Sequence, residues 1–409
     1  MVEWDQAPQP PRRRNPVLAI IGVLVIVGLL VGVTVVAFDK TDKPRGVDAH
    51  VSSPATTVAP GKPPTRTELD AIVAGITAFV AKTRKLTYKR PVEVTMLADE
   101  AFSARVRSDS LKDAADLEQT EGVLHALGLL PDGTKLADLL ASFLGEGVVG
   151  FYDPETDELV VRGAAITPYV RITLAHELTH AIDDQHFNLD RPALDKADDE
   201  TGSAFSALVE GSAVRVETEY RKTLTDVERK QADDEEARLG AGLDYSKIPR
   251  VLPELIGFPY IFGPDLIKAL LADGGEATVN KAFSKPPITT EQVLDPVQWL
   301  QEGEPPVKVD PPKADGEVID QGALGLWGVV VMLEDELGQD GAITAAQGWG
   351  GDWYVAWKDG AKTCVRNTFV MDTPTDLEEL ASALDEWAAA QTDAEVERAD
   401  GIVTYSACG

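Results

Sequence analysis

Three of the chain's five histidines fall in one short segment, Ala175-His-Glu-Leu-Thr-His-Ala-Ile-Asp-Asp-Gln-His-Phe187. Its centre is the pattern HExxH at His176, Glu177 and His180. On a helix, residues four apart lie about 40° apart around the axis and one turn along it, so both imidazoles can grip one ion. Glu177 is rotated by about 100° from His176, which puts its carboxylate beside the ion rather than on it. A general base belongs there, because a divalent metal brings the pKa of a water molecule to about 7 and the proton needs an acceptor. Two unrelated histidines at helical spacing are the alternative. The flanks favour a metal site: an apolar approach through Ile172, Leu174 and Ala175, and β-rich sequence before it. The expected ion is Zn2+.

A catalytic zinc site takes a third protein ligand and keeps one position open. His186 stands ten residues after His176, the spacing of HExxHxxGxxH. That pattern needs the chain to turn back at a glycine, and Asp183 occupies the place. If the helix runs on, His186 sits about 80° from His176 and well along the axis. Glu210, in Phe205-Ser-Ala-Leu-Val-Glu-Gly-Ser-Ala213, is the preferred ligand. Thirty residues separate it from His180, enough to end one helix, cross a loop and return antiparallel. The small neighbours Ser206, Ala207, Gly211 and Ala213 are expected to let the two helices approach closely. Glu217, about 20° from Glu210 and two turns on, is placed to replace it or to support a ligand.

The elements that must carry these residues are legible in outline. Thr67–Lys85 reads as a helix and Tyr88–Leu97 as a short strand. Two β-rich runs flank Asp153-Pro154-Glu155-Thr156-Asp157, which predicts a hairpin. Helices are expected over 167–189, with Pro168 in the first turn, and over 202–221. Segment 304–313 is a linker candidate. Beyond it, 318–337 reads as a helix, 352–357 and 363–371 as paired strands around Asp359-Gly360, 375–390 as a helix and 401–407 as a last strand. The fold class is therefore α+β and mostly helical, with a catalytic domain at 66–309 and a C-terminal α+β module at 310–409.

Residues 17–38, Val17 to Phe38, are uncharged and apolar. Their 22 residues would span about 33 Å as a helix, matching a hydrocarbon core of about 30 Å. Arg12, Arg13 and Arg14 precede this span, so residues 1–16 are expected in the cytoplasm and the C-terminal domain outside it, tethered by a spacer at 39–65. A cleaved signal peptide is the rival, but Val36 and Phe38 stand where a small-x-small site would be. The net charge of −30 disfavours nucleic acid as a partner. The two cysteines, Cys364 and Cys408, do not form a CxxC metal pair; a bridge between them is expected if the domain is extracytoplasmic.

Ala175-His-Glu-Leu-Thr-His-Ala181 is similar to the active-site helix of thermolysin-like peptidases. The wider set, His176–Leu189, Leu208-Val-Glu-Gly-Ser-Ala213, Pro286-Pro-Ile-Thr-Thr-Glu-Gln292 and Gly348-Trp-Gly-Gly-Asp352, resembles a little-characterised group of bacterial, membrane-tethered predicted metallopeptidases. The resemblance implies a gluzincin-type arrangement, a zincin-like domain and peptide-bond hydrolysis. Ser212 and Asp295 depart from the group's pattern, where an acidic residue and a histidine are expected.

Together these features suggest a single-pass membrane zinc metallopeptidase acting outside the cytoplasm on a peptide or protein, with His176, His180 and Glu210 as ligands and Glu177 as base. Two alternatives stand beside it: a non-catalytic zinc-stabilised cell-envelope binding protein, and a zinc hydrolase of a non-peptide amide. Tyr152, Tyr220, Tyr260 and His125 are candidate oxyanion donors. Glu291 and Gln292 either support the site or cap a helix after a Pro-rich turn. Gly348–Asp352 reads as a tight turn with Trp349 in a core, and the pairs Asp183–Asp184 and Asp198–Asp199 as solvated or supporting residues.

Overall fold

The structure, a computed structural model, describes residues 65–110, 114–191, 194, 199–241, 247–303 and 305–409. The expected cytoplasmic segment, the membrane span, all but the last residue of the spacer, Glu304 and Asp198 lie outside the described residues. Thr65 opens the folded part. Its hydroxyl accepts from the Glu68 amide at 3.3 Å while the Glu68 carboxylate accepts from its own N–H at 2.7 Å, a reciprocal cap. This starts α1 (Arg66–Arg84). Then come β1 (Val94–Leu97), α2 (Asp99–Ser110), α3 (Ala114–Ala126), α4 (Leu136–Gly147), β2 (Gly150–Asp153) and β3 (Glu158–Arg162).

The expected hairpin is present. The three-stranded sheet has the order β1-β3-β2, with β1 parallel and β2 antiparallel to β3. One residue of its turn, Asp157, takes φ 60°, a left-handed conformation that Asp tolerates.

Helix α5 (Pro168–Phe187) carries the HExxH pattern and packs on β2 and β3. Thr167 caps it, accepting from the Val170 amide at 3.1 Å, and Pro168 supplies the first turn. The helix is buried from Ile172 to Gln185 on every face, so it has no amphipathic stripe there and serves as the core of its own half. It meets α6 (Asp199–Arg221) and α7 (Asp226–Gly240). Next come α8 (Val251–Gly274), α9 (Glu276–Ser284), α10 (Thr290–Leu294) and α11 (Pro296–Glu302). Helix α8 is long and apolar enough to cross a membrane, but it runs largely through the interior.

The rest of the chain forms β4 (Val318–Gly322), α12 (Gly325–Ala346), β5 (Trp349–Asp359), β6 (Lys362–Met371), α13 (Pro374–Ala390), β7 (Ala394–Ala399) and β8 (Ile402–Cys408). The strands make one antiparallel sheet in the order β4-β5-β6-β8-β7. Two expectations need correction. Residues 318–322 form an edge strand rather than a helix start, and α12 begins only at Gly325, where φ is 73°. Trp349–Asp352 is not a turn but the irregular start of β5, with the register shift between Trp349 and Gly351. Strand β7 is an edge strand of mostly exposed charged residues, and its sequence gives little β signal. Helix α12 is broken at Gly338, φ 69°, next to the expected end at Leu337.

Two large cores, with a small cluster of Val355, Trp357 and Cys364 beside them, hold the described layers. One gathers Ile76, Val80, Leu159, Val161, Ile172, Leu174, Leu178 and Ile182 from α1, β3 and α5. The larger one runs from Phe102 through Leu208, Phe258 and Leu266 to Trp327, Phe369, Trp387 and Tyr405. Cys364 and Cys408 face each other across β6 and β8 and are bridged.

Candidate metal centre

His176, His180 and Glu210 meet in the interior. Each offers a ligand atom within 4.8 Å of the others. The Glu210 Oε2 lies 3.1 Å from His176 Nε2 and 3.5 Å from His180 Nε2. A tetrahedral ion bound at about 2.0–2.1 Å needs its ligand atoms about 3.3 Å apart, and the two distances bracket that value. The donor set of two imidazole nitrogens and one carboxylate therefore fits a small divalent metal.

The pairing runs His176 with Glu217, and His180 with the earlier Glu210, so α6 returns antiparallel to α5. The Glu217 Oε2 accepts a hydrogen bond from His176 Nδ1 at 2.9 Å. That bond fixes the tautomer and leaves Nε2 aimed at the ion. Glu217 is thus a support for a ligand, not a ligand. Without an ion, burial draws His176 down, but the bonds to Glu210 and Glu217 prevail and raise it to about 10. Burial pushes Glu210 up, but the His180 charge and the bonds to both imidazoles hold it at about 2.

Glu177 is fully buried, and neither carboxylate oxygen has a hydrogen-bond partner. Burial raises it from 4.5 to about 7, against the opposing pull of His176 and His180 and, most weakly, the Tyr152 amide. Buried carboxylates are normally satisfied, and one left open next to a metal cluster marks a place for chemistry. Sequence reasoning missed Gly150, which lies against the base. A Cβ there would stand 2.8 Å from Thr173 Cγ2 and 3.6 Å from Glu177 Cγ, so only glycine lets β2 cross α5 at the base.

Gly211 does not serve the α5–α6 contact. Its Cβ would lie 2.2 Å from the Gly263 carbonyl, and a Cβ on Gly263 would lie 2.2 Å from the Ala207 carbonyl. Ala207 and Gly211 bring α6 onto Gly263 of α8 instead, backbone on backbone. That approach sets Tyr260 of α8 beside His176, with ring centroids 6.5 Å apart. Of the four oxyanion candidates, Tyr260 is the one whose ring stacks on the cluster. The ring nitrogens of His125 lie 3.2 and 3.1 Å from the carbonyls of Leu130 and Thr134, a loop contact. The Tyr220 ring packs edge-on against Phe79. The Tyr152 hydroxyl is engaged by Asp157 and Asp184.

His186 is not a ligand. The helix continues through Asp183, and the His186 Nε2 meets the Thr87 carbonyl at 2.9 Å. Asp183 and Asp184 are buried rather than solvated. Asp183 accepts from Arg84 at 2.9 and 2.7 Å and from the Ser212 hydroxyl at 2.7 Å. Arg84 also pairs with Glu276, which takes Arg215 at 2.7 Å. This network ties α1, α5, α6 and α9 together one turn beyond His180, so Ser212 is a working partner there. Glu291 and Gln292 lie in a capped turn: Thr289 accepts from the Gln292 amide at 3.1 Å, and the Gln292 Oε1 accepts from the Ile288 amide at 2.8 Å. Asp295 caps α11. Asp352 accepts from the Leu324 and Gly325 amides, Trp349 Nε1 and Asn367 Nδ2, so Gly348–Asp352 organises the start of α12 rather than the metal centre.

Residues 315–407 match a family model described as a domain of unknown function, DUF8575, and that stretch contains none of the metal-cluster residues. No curated protein matches the chain. A solved structure of a provisionally assigned hydrolase with a novel fold, from Chloroflexus aurantiacus, is similar at 17% identity and a TM-score of 0.37 over 57% of this chain and 88% of its own.

Proposed function

We propose that this chain is a membrane-anchored zinc metallopeptidase whose folded part works outside the cytoplasm. One observation carries the reading: a His176–His180–Glu210 cluster of metal-binding geometry lies beside a buried carboxylate, Glu177, with both oxygens unengaged. A site that only stabilises a fold has no use for such a carboxylate. The Cys364–Cys408 bridge fits an oxidising compartment, and the apolar stretch at 17–38 with its preceding arginines fits an anchor of that orientation.

His176 and His180 would hold zinc through Nε2 and Glu210 through a carboxylate oxygen. Bound there, zinc would supply Lewis acidity, bringing a water molecule's pKa to about 7 and polarising a carbonyl. Glu177 takes a proton from the attacking water on its carboxylate and returns it to the leaving amine nitrogen. Glu217 keeps His176 in the required tautomer throughout. Strand β2, at the margin of its sheet and beside Glu177, is buried along its length and would carry an extended peptide once that edge is opened.

The test uses the full chain in detergent with a peptide library and metal analysis. Wild type should cleave and carry about one zinc per chain; Glu177→Ala should keep the zinc and stop cleavage. Bound zinc with no turnover would support a binding module instead, and turnover of small amides alone would support the non-peptide hydrolase.

A further inference from the structure

The Tyr152 hydroxyl is the meeting point of two elements. It lies 2.9 Å from Asp157 Oδ1 in the hairpin turn and 2.9 Å from Asp184 Oδ2 on α5. Arg90 pairs with Asp157 and stands 3.6 Å from Asp184. A phenol has one proton to donate, so it serves one carboxylate at a time while the guanidinium offsets the charge of both. Asp184 is anchored separately, accepting from the Leu189 amide at 2.8 Å through its other oxygen. The segment that brings Arg90 is itself strapped to α5. Gln185 Oε1 accepts from the Lys89 and Arg90 amides at 2.7 and 3.1 Å, and the Tyr88 hydroxyl donates to the Leu178 carbonyl at 2.7 Å.

None of these groups reaches the metal cluster, yet the strand they hold does. Tyr152 lies on β2, two residues after Gly150, and Gly150 is the residue that crosses α5 against Glu177. In the described contacts, the phenol is the polar link between β2 and the C-terminal half of the metal-binding helix.

We propose that Tyr152, Asp184 and Asp157 form a catch that fixes the margin of the small sheet at a set height over the base, and that these are positioning residues for a substrate lying along β2. The substrate half of this proposal rests on the peptidase reading; the catch itself does not. Releasing it should loosen β2 and weaken substrate docking while leaving the metal ligands and Glu177 intact.

Two measurements on the full chain separate the parts. Hydrogen exchange of the Gly150–Asp153 amides should quicken about 10-fold or more in Tyr152→Phe and Asp184→Asn, as expected when a hydrogen bond to a charged group is lost. Amides of α13, far from the hairpin, should not change, and zinc content should stay at the wild-type level. On a peptide that wild type cleaves, KM should rise about 10-fold with kcat within about 3-fold, because docking and not chemistry is affected. Asp157→Asn, which keeps a residue tolerant of the left-handed turn, should give the same split and guards against a simple folding defect. Unchanged exchange at β2 overturns the catch, whatever the enzyme does. Faster exchange with unchanged KM, or with a fall confined to kcat, overturns the positioning role. If wild type cleaves no peptide, the peptidase reading and the positioning role fall together, while the exchange data still decide the catch.

Discussion

The unengaged Glu177 carboxylate should make the metal-free protein less stable than it could be, by an amount that depends on pH. Folding raises this carboxyl from 4.5 to about 7, chiefly by burial. The charged form is therefore penalised in the folded state. Below pH 4.5 the group is protonated folded or unfolded, and no penalty arises. As pH rises the unfolded chain ionises first and the penalty grows, reaching its full size above pH 7. The gap corresponds to roughly 3 kcal/mol at pH 8 and less than about 1 kcal/mol at pH 5. Glu177→Gln keeps the shape and removes the charge. Its amide is also unpartnered, so the pH-dependent difference between the two proteins is the quantity to measure. In urea unfolding with chelator present, the stability of Glu177→Gln relative to wild type should improve by roughly 2–3 kcal/mol between pH 5 and pH 8. A pH-independent difference would mean that the carboxylate finds a partner or water in solution, and the case for a base held open would fail.

Other outcomes follow from the same geometry. Glu217→Gln should weaken zinc binding about 10- to 100-fold by releasing the His176 tautomer, and Glu210→Gln should weaken it further, both read by competition with a chromophoric chelator. Because His176 is raised to about 10 without an ion, metal uptake at pH 7.5 should release close to one proton from it, and affinity should rise about tenfold per pH unit between 6 and 9. Calorimetry in buffers of different ionisation enthalpy checks the proton count; none released would contradict a protonated His176. Gly211→Ala should cost about 3 kcal/mol or more, since its methyl would stand 2.2 Å from the Gly263 carbonyl, a backbone atom with nowhere to go. A thermal melt unchanged by that substitution would remove the close α6–α8 approach.

What could be read beforehand divides by the range of the interaction. His176, Glu177 and His180 share one helix, so periodicity alone aligned them, and the hairpin before them announced itself through Asp153–Asp157. Glu210 needed only the next helix to return, and it did. Gly211 and Gly150 were different. Their smallness was visible, but the partner across each contact, Gly263 or Glu177, is fixed only by tertiary packing. Asp183 and Asp184 read equally well as solvated or supporting residues, because their buried partners, Arg84 and Tyr152, lie far away in sequence. The 318–322 strand was hidden because its pairing partner, β5, comes some thirty residues later, and β7 because its residues are those of a water-facing margin.

The larger core passes without interruption from Phe102 and Leu208 into Trp327, Phe369 and Trp387. The stretch that matches the family model, 315–407, thus shares its oil with the helices that carry His176, His180 and Glu210. Trimming the chain at that stretch would open a wound rather than release a spare part. Substitutions in the far sheet should therefore be felt as lost cohesion in the half that carries His176, His180 and Glu210.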